Sequence, residues 1–289
     1  MALEIHRLTP EHAHLVPTLG QICFEAFGTL QDRHGVERDF DSAETATMVV
    51  GMFASRPDFA GFVAMENGEP LGSNFLGTSD GVAGVGPITI RPDVQSNGIG
   101  RALMLAVMEE AKVRGIPQVR LMQEAINTAS LSLYTKLGFD WREACALMRL
   151  APALKDDPRI RPLTDSDLNA IEHISARHYH ASRRNETDGF LKSGFPGFGL
   201  ERAGKLVGYY FPGFLGHGFA ETPEELATLV LHSARHAPPP FLKAIVPLGE
   251  HALHRELLAK GCRTIKLFNC MTTGEYRAPV GAWIPSIGM

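Results

Sequence analysis

A polar loop between an apolar segment and a periodic helix carries the residues best suited to chemistry. The loop holds Gln95, Gly98 and Gly100, and Arg101 follows at once. Glycine lets a ligand approach the backbone closely and tolerates positive φ, so successive N–H groups can converge on one anion. The start of a helix adds unpaired N–H groups and a partial positive charge. This spacing predicts a binding site for a diphosphate, to which Arg101 and the Gln95 amide add hydrogen bonds.

The same residues exclude two common phosphate-binding motifs. No Gly-Lys-Ser/Thr ends the loop, as a P-loop requires. Leu103 stands where a dinucleotide fingerprint has its third glycine. ATP and NAD are therefore less favoured than another carrier of a diphosphate.

The loop needs a strand before it and a helix after it, and the sequence supplies both. The run "VGPITI" predicts the strand, and apolar residues at three- and four-residue steps between positions 99 and 111 predict the helix, with Gly115 as its C-terminal cap. Earlier, "GFVAME" and "LGSNFLG" flank Asn67-Gly68, a strong signal for a β-hairpin. Later come a strand "QVRLMQEA", a helix from Thr128 to Leu137 and a strand "DWREACALMRL". Together these elements predict a mixed sheet flanked by helices.

Three short segments recur in the same order. "IHRLTPEHAHL", "NGEPLG" and "KLGFDWREACALM" resemble the later "IRPLTDSDLNA", "AGKLVG" and "AKGCRTIKLFNCM". The pattern indicates two divergent copies, with chance similarity of short strings as the alternative. We expect a first domain at residues 1–151, a linker at 152–159 and a second domain at 160–289.

Composition excludes several classes of protein. The 289 residues are 44% hydrophobic and 21% charged with a net charge of −4, which argues against disorder and against nucleic-acid binding. No apolar run is long enough to span a bilayer and the first residues lack the apolar core of a signal peptide, so a cytoplasmic protein without a membrane partner is expected. The four cysteines are scattered and predict buried thiols. His232 and His236 are four residues apart, but no third ligand is visible in the sequence, so no metal is expected.

The segments "ITIRPDVQSNGIGRAL" and "NTASLSLYTKLGF" resemble the acyl-CoA-dependent N-acyltransferases of the GNAT superfamily, which carry a Q/R-x-x-G-x-G/A loop. The resemblance covers roughly residues 5–150, and the second half resembles the degenerate GNAT-like domain of tandem members. It implies an α/β (α+β) fold with two GNAT-like mixed-sheet domains in tandem and helices on both faces. It also implies acetyl-CoA as the cofactor and CoA as a product.

The resemblance assigns roles to individual residues. Residues 95–101 would hold the CoA pyrophosphate, and Ile88 to Ile90 would pair with the pantetheine arm like an added strand. The implied cofactor-binding residues are Ile88, Thr89, Ile90, Gln95, Ser96, Asn97, Gly98, Ile99, Gly100, Arg101, Ala102, Asn127, Ser130 and Tyr134. For Asn127, capping of the following helix is the alternative role.

Acetyl transfer to an amine needs a base and a donor to the leaving thiolate. By the resemblance, Tyr134 lies beside the sulfur and donates to the thiolate, and packing in a helix is the alternative. "GVGPITI" contains no carboxylate, so the base is open. Glu124 is the first candidate. The alternatives are deprotonation through water, Glu25 or another acid of the first half as the base, and Glu124 as a solvated strand end without a catalytic role.

The second half lacks the loop. "GHGFAETPEELATLV" passes directly into a helix behind three glutamates, which would repel a diphosphate. We therefore expect this half to bind no CoA and to form a wall of the acceptor pocket or support a subunit contact such as a homodimer. The sequence favours an N-acetyltransferase that acts by direct attack of a primary amine, on a small molecule or a peptide. The alternatives are a non-enzymatic acyl-CoA sensor and, more remotely, a scaffold.

Overall fold

The computed structural model describes residues 3–288. The first half contains, in chain order, β1 (Glu4–Arg7), α1 (Val16–His34), α2 (Ala43–Ser55), β2 (Phe59–Glu66), β3 (Glu69–Gly77), β4 (Val82–Val85), β5 (Thr89–Ile90), α3 (Ile99–Val113), β6 (Gln118–Glu124), α4 (Thr128–Lys136) and β7 (Asp140–Arg149). The second half contains β8 (Ile160–Pro162), α5 (Leu168–Tyr179), α6 (Arg184–Lys192), β9 (Phe198–Arg202), β10 (Lys205–Tyr210), β11 (Gly218–Ala220), α7 (Pro223–His236), β12 (Lys243–Pro247), α8 (His251–Ala259), β13 (Arg263–Gly274) and β14 (Ala282–Ile284). Residues 151–159 contain neither helix nor strand.

Local sequence signals explain several of these elements. Asn67 and Gly68 have φ of 55° and 82°, the left-handed pair that joins β2 to β3 in a tight hairpin. Ser42 caps α2, because its hydroxyl accepts a hydrogen bond from the Thr45 N–H at 3.3 Å. Gly115, with φ of 68°, ends α3.

The larger sheet joins strands of both halves. Its order is β1-β2-β3-β4-β6-β13-β7-β12, and β5 pairs with β3 off this path. Neighbours are antiparallel except β4 and β6, which run parallel. A smaller antiparallel sheet has the order β14-β11-β10-β9-β8. The mixed sheet of an α/β fold is thus confirmed.

The two halves exchange strands reciprocally. β13 of the second half lies between β6 and β7 of the first, and β7 lies between β12 and β13 of the second. The pairing is extensive, running from Phe268 opposite Glu124 to Gly274 opposite Gln118 on one edge of β13. On the other edge, Arg263 to Thr272 face β7. The backbone hydrogen bonds of each half are therefore incomplete without the other, which the separate domains of the sequence analysis did not anticipate.

Helices cover both faces of the sheets, as predicted. On β2, Phe62 packs in the same cluster as residues of α3, whereas Val63, one residue on, packs with α1 and α2. The second half repeats this arrangement, because Tyr210 packs with α7 and Tyr209 with α5. Alternation along a strand sends successive side chains to opposite faces, so both sheets are buried on two sides. Among residues 3–288, no helix has the length and apolar character needed to cross a membrane.

Candidate active site

The loop predicted to bind a diphosphate has the backbone geometry of an anion site. Ser96 and Gly98 both have left-handed φ, 69° and 83°, and Gly98 immediately precedes α3. The Gly98 carbonyl accepts the first helical hydrogen bond, from the Ala102 N–H at 3.0 Å. The N–H groups of the three residues before Ala102 therefore have no partner within the helix. A carboxylate or phosphate would be stabilised there by these groups and by the helix dipole.

Gly98 and Gly100 differ in backbone conformation and in the space around them. A Cβ on Gly98 would meet no atom within 4 Å, so its position is open, and positive φ explains the residue type. A Cβ on Gly100 would lie 2.9 Å from Ile90 Cδ1 and 3.4 Å from Leu133 Cδ2. Gly100 therefore lies in the packing of α3 against β5 and α4, where an added Cβ would have to displace the end of the Ile90 side chain.

The side chains of the loop divide into anchoring and free groups. Gln95 donates from Nε2 to the Ile90 carbonyl at 3.1 Å and so ties the loop to β5. This bond uses one of the two N–H groups of the amide, so binding of a phosphate by Gln95 stays a prediction. Arg101 is exposed and makes no ion pair with any residue in the described range 3–288. Its guanidinium is free to approach an anion bound at the loop.

The strands beside the loop separate. β4 pairs with β6 only up to Val85 opposite Leu121, and β5 then pairs with β3, through Gly72 and Ser73. Residues 86–88 no longer pair with β6, whereas β6 continues to pair with β13 up to Glu124. The gap between β5 and the end of β6 is where an extended ligand arm can add to the sheet edge.

The start of α4 is fixed by hydrogen bonds from two strands. The Asn127 side chain accepts from the Ser130 N–H at 3.0 Å, so it caps α4 as the alternative interpretation stated. Gln123 Nε2 donates to Ser130 Oγ at 3.0 Å, and Asn269 of β13 donates to Gln123 Oε1 at 2.7 Å. The buried Gln123 was not recognised in the sequence, where nothing marks it apart from its place at the end of a strand.

Tyr134 lies on α4 and lines the cleft beside the loop. It is buried, its ring centroid is 6.2 Å from that of Phe139, and its hydroxyl makes no hydrogen bond with a residue of 3–288. Burial raises the pKa of its phenol above the usual range. The group therefore stays protonated at neutral pH and suits a hydrogen-bond donor better than a proton source for a thiolate.

Glu124 ends β6 inside a buried polar cluster. It is 7% exposed, which corrects the interpretation as a solvated strand end. Its Oε1 accepts from Lys266 Nζ at 2.7 Å, and Lys266 also lies 2.8 Å from Asp39 Oδ1. Gln31 Nε2 donates to Asp39 at 2.7 Å and lies 3.2 Å from Glu124 Oε2. Burial raises the pKa of Glu124, Lys266 opposes this shift, and Asp39 adds to it.

The sequence did not reveal this cluster. Lys266 lies on β13 of the second half, in a segment noted in the sequence only as a copy of residues 136–148, and only the strand exchange brings it to Glu124. Asp39 and Gln31 come from the first half but from an irregular segment and a helix, respectively. One ammonium between two carboxylates leaves the cluster with one excess negative charge when both acids are ionised.

A cleft of about 1560 Å³ joins these parts. Of the residues expected to bind the cofactor, it is lined by Ile88, Thr89, Ile90, Gln95, Ser96, Gly98, Gly100, Arg101, Asn127, Ser130 and Tyr134. Glu124 lines it too. The structure does not place Asn97, Ile99 or Ala102 on its wall, and Ile99 is buried in the core. Glu25 is exposed outside the cleft and bonded to Gln21 at 2.7 Å, so it is poorly placed as a base.

Phenylalanines from both halves dominate the apolar wall of the cleft. The first half supplies Phe27, Phe40, Phe53 and Phe59, and the second half supplies Phe190, Phe195, Phe214, Phe241 and Phe268. The aromatic segment "GYYFPGF" contributes only Phe214, because Tyr209, Tyr210 and Phe211 are fully buried in the core. Cys145 is also core, and burial raises the pKa of its thiol, so it is no nucleophile.

The corresponding corner of the second half has no loop. Only Glu221 and Thr222 separate β11 from α7. Thr222 caps the helix by accepting from the Glu225 N–H at 3.2 Å, and Arg202 binds both Glu221 and Glu225. The helix start is thus occupied by the chain's own acids and arginine.

Comparison with known proteins agrees with this geometry. Residues 24–139 match the acetyltransferase (GNAT) family. A mycothiol acetyltransferase of Amycolatopsis mediterranei is 35% identical over 91 residues, which are 28% of this chain and 30% of that protein. The matched segments span only about a fifth to a third of the length of such curated relatives.

Solved structures match over nearly the whole chain. An acetyltransferase-like protein of Pyrococcus horikoshii has a TM-score of 0.74 at 15% identity, covering 99% of this chain and 95% of that one. A tandem GNAT protein of the clavulanic acid biosynthesis pathway has a TM-score of 0.59 at 14% identity, covering 96% and 100%. The fold is therefore the tandem GNAT fold. The match to the acetyltransferase (GNAT) family lies within the first half of this fold.

Proposed function

We propose that the protein transfers an acetyl group from acetyl-CoA to a primary amine by direct attack. The observation that supports this best is the loop before α3, where Ser96 and Gly98 hold left-handed φ beside unpaired helix N–H groups that open on the cleft. Such a corner suits the CoA pyrophosphate, and the gap between β5 and β6 suits its pantetheine arm. Loop residues 95–101 and Ile88 to Ile90 are the proposed cofactor contacts.

In the proposed reaction the amine nitrogen attacks the thioester carbonyl carbon. A C–N bond forms and the C–S bond breaks, the amine loses one proton to a base, and CoA leaves as a thiolate that takes its proton from solvent. Tyr134 donates a hydrogen bond to the departing sulfur. Glu124 accepts the amine proton, directly or through one water, because a carboxylate with a raised pKa is better matched to that task.

The second half completes the site without a cofactor of its own. The acids at the start of α7 would repel a diphosphate, whereas five phenylalanines of this half line the shared cleft. We therefore assign residues 1–151 to catalysis, 152–159 to the connection and 160–289 to the acceptor wall. An isothermal titration with CoA tests this assignment, since we expect one molecule bound per chain, and two would contradict it.

The acceptor is an amine on an apolar body. The cluster formed by Glu124, Asp39 and Lys266 has an excess negative charge that attracts the ammonium group of the acceptor. The phenylalanines of the cleft bury the apolar surface of the acceptor. The matched relatives are named mycothiol acetyltransferases, so a mycothiol-related amine belongs in the panel of acceptors. Aliphatic, aromatic and peptide amines complete that panel.

Release of free CoA thiol from acetyl-CoA tests the activity. We expect thiol release that depends on the acceptor and an acetylated product found by mass spectrometry. Binding of acetyl-CoA without turnover of any amine would instead make the protein a sensor, and failure to bind CoA would reject the loop assignment.

Tyr134→Phe tests the proposed donor. We expect kcat to fall by roughly tenfold or more, while the Kd for CoA changes little, because only the hydrogen bond to the sulfur is lost. A kcat equal to that of the wild type would leave Tyr134 as a packing residue.

A further inference from the structure

A cluster of possible metal ligands lies outside the cleft, where the segment that joins the two halves meets α7. It consists of Asp156 from that segment and His232 and His236 from α7. One ligand atom from each residue lies within 4.8 Å of the others. His236 Nε2 is 2.6 Å from Asp156 Oδ1, and His232 Nδ1 is 3.9 Å from the same oxygen. The sequence analysis found no third ligand for the histidine pair, because Asp156 is 76 positions before His232 and only the fold unites them.

The buried member of the cluster lacks a partner. The His232 side chain is 8% exposed, and its Nδ1 is buried without a hydrogen bond in the described structure. A buried polar atom without a partner costs free energy, typically about 1–3 kcal/mol. A cation between the three side chains would provide that partner.

The donor set suits a zinc-class ion. Residues four apart on a helix share a face, so both imidazoles point to one side of α7. Zinc binds histidine nitrogen and carboxylate oxygen at about 2.0–2.2 Å in a tetrahedron, which sets ligand atoms roughly 3.3 Å apart. The separations of 2.6 and 3.9 Å lie on both sides of that value, and all three ligand atoms lie within 4.8 Å of one another.

One cation competes for the carboxylate. Arg235 Nε lies 3.2 Å from Asp156 Oδ1, and its Nη1 donates to the carbonyls of Ala153 and Leu154 at 3.1 and 3.3 Å. A carboxylate offers about four lone-pair sites, so it can serve a guanidinium and a metal together. The arginine also holds the connecting segment against α7, which keeps Asp156 near the histidines.

We propose that Asp156, His232 and His236 form a binding site for a divalent cation of the zinc class, with water in the fourth position. Bound there, the ion fastens the connecting segment to α7. The proposal is independent of acetyl transfer, because the three residues are not among those that line the cleft.

Titration of the chelator-treated full-length protein with ZnSO₄ tests the site. We expect the wild type to bind one equivalent of zinc. The zinc affinity should fall by roughly tenfold or more in Asp156→Asn and in His236→Gln, because loss of an outer-shell contact alone lowers metal affinity by about tenfold or more. His251→Gln is the matched control, because it removes one exposed imidazole at the start of α8 and should bind zinc like the wild type. Excess zinc should raise the Tm of the wild type and the control, and leave the Tm of the two site variants almost unchanged.

Other outcomes overturn the proposal. These are no zinc binding by the wild type, equal affinity in the wild type and both site variants, or an equal loss in the control. Substitution by Co²⁺ adds a readout of geometry, because its visible spectrum distinguishes tetrahedral from octahedral ligands. An octahedral spectrum, unchanged in Asp156→Asn, would also reject the site.

Discussion

At the residue scale, Lys266 is the group on which the candidate base depends. It is 3% exposed and lies between the carboxylates of Glu124 and Asp39, at 2.7 and 2.8 Å. Removing one partner of a buried ion pair leaves uncompensated charge, which typically costs about 3–5 kcal/mol. We expect Lys266→Met to lower the free energy of unfolding at neutral pH by about that amount, as measured by urea denaturation.

The same substitution should move the pH profile of catalysis. Lys266 lowers the pKa of Glu124, against the raising effects of burial and Asp39. Without the ammonium, this pKa rises further, so the base is deprotonated only at higher pH. We expect the acid limb of kcat/KM against pH to shift upward, and Glu124→Gln to lower kcat and remove the limb. An unshifted limb in Lys266→Met would show that Glu124 is not the base.

Lys260→Met is the matched control for both measurements. Lys260, which directly follows α8, is 57% exposed, and its Nζ lies 3.5 Å from Glu256 Oε1. An exposed ion pair of this kind contributes about 0.5 kcal/mol or less. The control should therefore leave both stability and the pH profile nearly unchanged.

At the element scale, the parts of the site with local causes could be predicted from the sequence. Asn67-Gly68 indicates the hairpin because its two residues tolerate positive φ. Asn127 starts α4, and Gly98 starts α3. Each of these signals acts over a few residues, so a pattern of residue types is sufficient to reveal it.

Elements that depend on distant pairing could not be predicted in the same way. β13 alternates like many strands, and nothing in its residues specifies that it lies between β6 and β7. The position of β13 in the sheet is determined by the packing and hydrogen bonding of the whole sheet. For this reason the sequence analysis missed Lys266 and the pairing of Asn269 with Gln123. It also missed four of the phenylalanines that the second half contributes, which are Phe190, Phe195, Phe241 and Phe268.

The loop before α3 permits a test that separates charge from backbone strain. Aspartate and asparagine have the same shape, and both tolerate the left-handed φ of 83° found at Gly98. A Cβ there meets no atom within 4 Å, so neither substitution should disturb the fold. Only aspartate places a negative charge against the cofactor's diphosphate.

We expect Gly98→Asp to weaken CoA binding at least roughly tenfold more than Gly98→Asn, which corresponds to about 1.4 kcal/mol. Isothermal titration with CoA gives the two Kd values, and the difference should shrink as salt is added. Equal Kd values for the two variants would place the diphosphate elsewhere.

At the scale of the whole molecule, the reciprocal exchange makes the two halves one folding unit. β6 and β7 are not neighbours, since β13 separates them, and β7 separates β12 from β13 in turn. Removing either half would expose strand edges, and removing the second half would also strip the buried Glu124 of its ammonium partner. The tandem arrangement thus does more than position a second domain, because the second half supplies β13, an interior strand of the larger sheet.

We therefore expect residues 1–151 alone to fail to fold, and co-expression with residues 152–289 to restore a one-to-one complex that binds CoA. Circular dichroism, size-exclusion chromatography and CoA titration measure the three properties. A full-length chain with a protease site at Leu154, whose side chain is 98% exposed, is the control. Cleaved after folding, it should stay associated, because the strand pairs hold the halves without the connection. If residues 1–151 alone were monomeric, folded and able to bind CoA with the affinity of the full chain, the exchanged strands would be dispensable and the single folding unit would be wrong.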